Sequence, residues 1–164
     1  MRRMFTGFTL IEMMVTITII SILLAVAAPS YYNAITGTRM SGEINALLGN
    51  LNLARSEAIK RGQSVSVCPA TAPSAATTAC TARTDWSTGW VVLVATSAVA
   101  VSPGVTHGDT LTSTLTTYPT FTQAGYTFFT GTIKLHDSNS TTGLYRCIVF
   151  NAGSWQTQTG ASCQ

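Results

Sequence analysis

Apolar residues fill the first part of the chain almost without interruption. Residues 8–28 read FTLIEMMVTITIISILLAVAA, and Glu12 is the single charged residue among them. As a helix, this stretch would be about 31 Å long, which is enough to cross a bilayer core of about 30 Å. The pattern therefore predicts a helix at residues 8–28 that lies in a membrane or among other apolar helices.

The pattern becomes amphipathic after residue 28. Pro29 has no backbone N–H to donate, so we expect it to kink or locally break the helix. Two cations and a glycine at residues 60–62 are typical of a helix end. We predict one helix from about residue 8 to about residue 61, whose half at residues 29–62 packs on a globular head. Its apolar residues recur at the three- and four-residue steps of one helix face: Ile44, Leu47, Leu48, Leu51, Ala54, Ala58 and Ile59.

Residues 63–164 favour strands that are separated by turns. Gly, Asp and Asn divide the segments at roughly 8 to 12 residues, without a helical period between them. Residues 70–84 have the composition of a surface loop. The expected fold class is α+β, a long N-terminal helix packed on a head of antiparallel β-sheet. The predicted strand segments are QSVSVCP, GWVVLVAT, TLTSTLTTY, GYTFFTG, TIKLHDS and GLYRCIVFN.

The charge balance argues against a strongly basic surface. The chain has nine Lys and Arg and six Asp and Glu, for a formal net charge of +3. Arg2 and Arg3 supply two of the positive charges, so the balance without the first seven residues is seven minus six, or +1. The simplest electrostatic argument for nucleic-acid binding is therefore weak.

The four cysteines, Cys68, Cys80, Cys147 and Cys163, are not arranged in a C-x-x-C pair. A zinc site or a thioredoxin-like redox site is therefore not expected. Four cysteines in a small exported domain indicate two disulfides, for which three pairings exist. Among these pairings we predict the local one, Cys68–Cys80 and Cys147–Cys163, because it closes two short loops.

Glu12 needs an explanation, because a carboxylate in an apolar helix raises the free energy of insertion by up to about 3 kcal/mol. A secretory signal peptide, with Arg2 and Arg3 as its basic region and AVAAPS as its cleavage site, gains nothing from it. A plain membrane anchor is a further alternative. The carboxylate becomes useful where it meets a cation, and cleavage after Gly7 would create one at the amino group of Phe8. That group reaches the Glu12 of a neighbouring chain more easily than its own, which predicts a role in the register of a helix bundle.

The N-terminal sequence GFTLIEMMVTITIISILLAVAAPSYY closely resembles the class III signal of type IV pilins and type II secretion pseudopilins. In that family a prepilin peptidase removes a short basic leader, and the new first residue is N-methylated. The resemblance implies a leader at residues 1–7, cleavage at Gly7, methylation of Phe8 and an assembly role for Glu12. It also implies that residues 8–28 remain on the mature protein as the membrane-spanning helix and later as filament core.

Three further segments resemble GspH/FimT/FimU-type minor pilins: ARSEAIKRGQSVSVC (54–68), DWSTGWVVL (85–93) and RCIVFNAG (146–153). That resemblance implies a long helix packed on two small antiparallel sheets. It implies a low-abundance structural subunit that takes part in pilus assembly or priming with other major and minor pilins. The expected location is the bacterial inner membrane, with one pass and a periplasmic head, and then the filament.

Two alternatives share this fold and anchor. One is a minor pseudopilin of a type II secretion system. The other is a DNA-binding minor pilin of the FimT kind for DNA uptake in natural transformation, which by resemblance requires a G-R-x-R motif near the C-terminus. Residues 153–156 read GSWQ at the corresponding place, so both arginines are absent. The remaining candidates for weak DNA contacts are Arg55, Lys60, Arg61, Lys134 and Arg146.

No catalytic, cofactor or metal site emerges from the sequence. His107 and His136 are the only histidines, and His136 beside Asp137 would be the one base with an orienting partner. We interpret that pair as a turn after TIKL. The sequence has neither a G-x-S-x-G nucleophile motif nor a phosphate-binding loop, so we expect no enzymatic activity. The tryptophans are interpreted as core residues: Trp86, Trp90 and Trp155.

Overall fold

The structure is a computed structural model that describes residues 7–74, 76–77, 79–138, 144–160 and 163. The predicted leader therefore lies outside the described residues, apart from Gly7. The chain divides into two compact units, Met1–Thr36 and Gly37–Gln164. The described elements are α1 (Leu10–Arg61), β1 (Val65–Pro69), β2 (Gly89–Val94), β3 (Ser97–Pro103), β4 (Thr110–Ser113), β5 (Thr120–Phe121), β6 (Gly131–His136), β7 (Tyr145–Asn151) and β8 (Ser154–Gly160).

The helix α1 has 52 residues and agrees with the predicted helix to within two residues at its start. Thr9 caps it, because the Thr9 Oγ1 accepts a hydrogen bond of 3.3 Å from the backbone N–H of Glu12. At the other end Gly62 has a φ of 63°, the left-handed conformation in which glycine commonly ends a helix. The helix is continuous at residue 29, so no break occurs there, because proline fixes φ near the helical value and removes only one hydrogen bond. A kink at Pro29 stays a prediction.

The part of α1 in the second unit buries one face, as its spacing predicts. The prediction that Ile59 belongs to the buried face is wrong, because its side chain is 55% exposed. It directly follows Ala58, which takes the inward position, and successive residues of a helix point about 100° apart. Leu48 is half-buried. The buried apolar residues of this face are Met40, Ile44, Leu47, Leu51, Ala54 and Ala58.

The first sheet has the strand order β3-β2-β1-β5, and its neighbouring strands are antiparallel. Strand β2, the continuous apolar run GWVVLV, is buried along its whole length. Trp90 and Val92 belong to the main core with α1, whereas Val91 and Leu93 join Cys68 in a smaller core. Both faces of this strand are thus covered, which explains why its sequence does not alternate.

The second sheet has the antiparallel order β4-β6-β7-β8. The backbone N–H groups of Trp86 and Ser113 donate to the carbonyl oxygens of Leu111 and Thr84, at 2.8 and 2.7 Å, which attaches residues 84–86 to β4. The two small antiparallel sheets that the family resemblance implies are therefore present. The residues that this sheet contributes to the main core are Leu111, Ile133, Leu135, Ile148 and Phe150.

Two strand predictions need correction, and three strands of the structure were not predicted. The segment GYTFFTG is not a strand, because residues 122–126 form a turn in which the N–H of Thr122 donates to the Tyr126 carbonyl at 2.9 Å. The segment TLTSTLTTY forms a strand only at its start, in β4. Strands β3, β5 and β8 were not predicted, because β3 contains mainly small residues, β5 has only two residues, and β8 is largely exposed and polar.

Candidate functional site

Glu12 lies in the first turn of α1, three residues after the capping Thr9, and is exposed. Thr9 and Glu12 thus have the T-x-x-E spacing of a capping box, and a carboxylate there also complements the positive end of the helix dipole. This signal is visible in the sequence and gives Glu12 a local role beside the predicted role in assembly. Experiments on Glu12 must therefore separate its charge from its capping.

The apolar residues of the first unit are exposed all around the helix. Exposure of the large apolar side chains at residues 8–26 ranges from 49% at Val15 to 78% at Leu10. The hydroxyls of Thr16, Thr18 and Ser21 donate to carbonyl oxygens three or four residues earlier, so these polar groups are paired within the helix. A helix that is apolar on all sides requires apolar surroundings, and α1 contains a stretch long and apolar enough to cross a membrane.

Three of the candidate DNA contacts, Arg55, Lys60 and Arg61, lie near the end of α1. Arg61 donates a 2.5 Å hydrogen bond to Glu57, and Lys60 is 3.7 Å from the same carboxylate. The hydrogen bond from Arg61 lowers the pKa of Glu57, and the positive charges of Arg61 and Lys60 lower it further against the effect of burial. The guanidinium of Arg55 lies over the ring of Trp155, 5.7 Å from its centroid. The positive charge at this end is therefore partly neutralised.

The other two candidates, Lys134 and Arg146, lie on opposite faces of the second sheet. Lys134 pairs with Cys147 and Arg146 with Leu135 in the ladder between β6 and β7, and side chains alternate along a strand. The Lys134 ammonium lies 5.3 Å from the centre of the Tyr145 ring. The Arg146 Nε donates to the Ser41 hydroxyl of α1 at 3.3 Å. The structure therefore does not bring these two residues together as one basic surface.

The cysteines are joined as Cys68–Cys80 and Cys147–Cys163, the local pairing that was predicted from the sequence. The first bridge ties the loop at residues 70–84 to β1, beside the smaller core that Cys68 shares with Val91. The second bridge joins β7 to the C-terminal end of the chain. The first bridge therefore fastens an irregular segment to a strand of the head.

The histidine and tryptophan side chains have structural surroundings. His136 is the last residue of β6 rather than part of a turn, and its ring lies 4.7 Å from that of Tyr145. Trp86 and Trp90 are buried in the main core, as interpreted from the sequence. Trp155 is partly buried and contacts Phe121 edge to face at 5.6 Å. Within the described part of the chain, no group of His, Cys, Asp and Glu could hold a metal ion.

A buried ionic cluster links α1 to two loops of the head and was not predicted. Arg39 contacts Asp109 at 2.7 Å and Asp137 at 3.1 Å, and both carboxylates are almost fully buried. The Asp109 side chain also accepts a 3.0 Å hydrogen bond from the backbone N–H of Ser138. Single charges that lie 70 and 98 positions from their partner leave no local signal in the sequence.

Comparisons with known proteins found matches over both parts of the chain. A family model described as type II transport protein GspH matches residues 43–154. A model of the prokaryotic N-terminal methylation motif matches residues 2–28. A search among curated proteins found no match.

Two crystal structures of the Pseudomonas aeruginosa type IV minor pilin FimU are similar in fold. The first is 21% identical with a TM-score of 0.56, and the match covers 77% of this chain and 96% of that one. The second, in another crystal form, is 20% identical with a TM-score of 0.53, and it covers 76% and 99% of the two chains. At this level of identity, the likeness establishes the arrangement of one long helix on an antiparallel head.

Proposed function

This chain belongs to the GspH family of type II transport proteins, and from that premise we propose that it is a minor pilin, a low-abundance structural subunit in the assembly or priming of a type IV pilus. In this role residues 8–28 anchor the chain in the inner membrane with the head in the periplasm. After extraction from the membrane, the same residues lie in the filament core with those of other pilins. Residues 29–62 connect this segment to the head at residues 63–164.

The observation that carries the proposal is the first unit, in which an apolar helix is exposed on all sides and holds one carboxylate near its start. The methylation-motif match at residues 2–28 supports cleavage at Gly7 by a prepilin peptidase and methylation of Phe8. Among the described residues, Glu12 has no ion-pair partner. In an assembled bundle, the amino group of a neighbouring first residue would supply that partner.

Intact mass spectrometry of the protein extracted from membranes tests the processing step. We expect a mature chain that begins at Phe8 and carries an N-methyl group. A mature chain that begins near Ser30, after AVAAP, would instead identify an ordinary signal peptide and would contradict the proposal.

A minor pseudopilin is the second candidate, because the description of the matched family names type II transport. The presence or absence of the protein in filaments sheared from the cell surface distinguishes a minor pilin from a minor pseudopilin. A minor pilin is recovered in filaments that extend from the cell, whereas a pseudopilin is required for secretion of exported enzymes and is absent from such filaments. The dispersed and partly neutralised basic residues favour either role over that of a DNA receptor.

A further inference from the structure

The two sheets of the head have four edges, formed by β3 and β5 in the first sheet and by β4 and β8 in the second. An edge strand carries a row of backbone N–H and C=O groups that can pair with a strand of another chain. Proteins usually block such edges with bulges, prolines, charges, very short strands or a covering segment. An edge without any of these features is therefore a candidate interface.

Three of the four edges carry a feature that hinders pairing with another chain. Strand β3 has a register shift against β2 between Val92 and Leu93, and it ends at Pro103, which has no N–H to donate. Strand β5 has only two residues. The outer edge of β4 is covered by residues 84–86, through the bridge between Asp85 and Thr112 and the backbone hydrogen bonds beside it.

Strand β8 has none of these features. It pairs with β7 along all seven residues without a register shift. Its sequence, SWQTQTG, contains neither a charged residue nor a proline, and five of its residues are exposed. Within the described part of the chain, the backbone hydrogen bonds of β8 are those of its ladder with β7. The outer edge of β8 is therefore open to a further strand.

The sequence of β8 favours a second copy of the same strand as its partner. The central residues QTQ read the same in both directions, so an antiparallel pair centred on Thr157 places Thr157 opposite the partner's Thr157. Gln156 then lies opposite the partner's Gln158, and Trp155 opposite the partner's Thr159. Threonine pairs and pairs of an aromatic with a β-branched residue are both favourable across strands. No like charges meet, because the strand has no charge.

We propose that β8 is an interface at which two copies of this chain join their second sheets, through an antiparallel pair of β8 strands centred on Thr157. All seven residues of each strand take part in this register, from Ser154 to Gly160. The contact is isologous, so the same edge serves both copies and the pair is closed. Each second sheet thereby gains the neighbour that its β8 edge lacks.

The symmetry of this pair limits where it can form. The two-fold axis of an antiparallel strand pair is perpendicular to the sheet, so it reverses every element that lies along the sheet. The part of α1 in the second unit packs on the sheets, so its two copies run in opposite directions. Subunits of one filament point the same way, so under the proposed function the pair links two filaments. Only this consequence rests on the proposed function, because β8 belongs to the second unit.

Cysteine cross-linking of the full chain in detergent micelles tests the pair without requiring a filament. Thr157→Cys places a thiol opposite that of its own copy, at a Cα separation of about 4.5–5.5 Å, which a disulfide can span. Thr159→Cys is the matched control, because Thr159 is also exposed and lies on the same face of β8. The two copies of residue 159 would be roughly 14 Å apart in this register, which is too far for a disulfide.

After mild oxidation, a non-reducing gel should show a disulfide-linked dimer of Thr157→Cys that is about tenfold or more above that of Thr159→Cys. Peptide mapping confirms that the link joins the substituted positions rather than the native cysteines. Absence of a Thr157→Cys dimer would overturn the proposal. Equal amounts of dimer from both variants would also overturn it, because they would report random collisions or another register.

A mixture of two further variants tests the direction of the strands. Gln156→Cys and Gln158→Cys, carrying tags of different size, should form a linked heterodimer when mixed and little homodimer alone. A parallel pair in register would instead link each variant to its own copy. That result would contradict the antiparallel pair even if Thr157→Cys forms a dimer.

Discussion

The two parts of α1 have the same secondary structure and opposite surroundings. Leu24, in the first unit, is 61% exposed, whereas Leu47, in the second, is fully buried against the sheets. The difference follows from the order of apolar residues, which is continuous in the first part and has three- and four-residue steps in the second. A continuous apolar surface cannot be covered by one side of a head, so its surroundings must enclose it. The comparison teaches that one helix can be exposed and apolar in one part and can supply the core of a folded head in the other.

Glu57 and Glu12, one from each part of α1, differ in whether the chain itself supplies an ion-pair partner. Glu57, near the end of α1, is bound by Arg61 and Lys60 of its own helix. Glu12 has no ion-pair partner within the described residues. The charge of Glu57 is thus compensated within its own helix, whereas the charge of Glu12 is left for a partner that the proposed filament would supply.

The largest expected effect is the loss of the protein from filaments when Glu12 is replaced. Glu12→Ala should still insert into the membrane, because removal of a charge lowers the free energy of insertion. Its amount in sheared filaments, measured by immunoblot, should fall to near background, because the neighbouring amino terminus loses its partner.

Glu12→Gln is the matched control for helix capping. Glutamine can take the place of glutamate in a capping box and carries no charge, so we expect it to fail in assembly like alanine. Filaments that contain Glu12→Gln at the wild-type level would mean that Glu12 acts through the cap. Wild-type levels of both variants would refute the register role altogether.

A pair of leucine substitutions measures the difference between the two parts of the helix. Leu47→Ala should lower the free energy of unfolding of the head by about 2–5 kcal/mol, because it leaves a cavity in the core. Leu24→Ala should change it by about 0.5 kcal/mol or less, because Leu24 is not packed in the chain. Denaturant unfolding of the full chain in micelles, followed by tryptophan fluorescence, gives both values. An equal loss for both variants would mean that the first part of α1 also supports the head.

The pH dependence of Glu57 should be smaller. Its pKa in the folded chain is lowered by Arg61 and Lys60, so its contribution to stability is present above the unfolded value of about 4.3 and is lost as the pH falls through the folded value. Glu57→Gln should therefore be less stable than the wild type at neutral pH, and the difference should shrink in acid. Thermal unfolding of both proteins from neutral to acidic pH measures it. A difference that stays constant with pH would show that the ion pairs contribute nothing.

DNA binding by the head should be the weakest effect. Arg61 and Lys60 share Glu57, and Lys134 and Arg146 lie on opposite faces of their sheet. We expect binding that is weak at about 50 mM salt and lost at about 200 mM, as few phosphate contacts imply. A fluorescence titration of the full chain in a neutral detergent at both salt concentrations checks this. Tight binding near physiological salt that is abolished by Lys134→Ala and Arg146→Ala would make a DNA receptor the leading function.

The sequence by itself determined the features that depend on local spacing. The buried face of α1 follows from the three- and four-residue steps of its apolar residues. The end of the helix follows from the two cations and the glycine at residues 60–62, and the isolation of Glu12 follows from the apolar run around it. The continuous run of β2 likewise indicates a strand that is covered on both faces. For the cysteines the sequence only favoured one of three pairings, the local one, because Cys68–Cys80 closes a short loop, and the structure has that pairing.

Only the tertiary structure decided the features that depend on residues far apart in the chain. Ile59 fits the helical period but is exposed, because the inward position beside it is taken by Ala58. The polar strand β8 forms because its backbone pairs with β7 along the whole strand. The sequence pattern of β8 by itself does not predict this pairing. Arg39 meets Asp109 and Asp137 across 70 and 98 positions. Strand pairing and the pairing of buried charges depend on which residues meet in the folded chain. The spacing of apolar residues along the sequence does not contain this information.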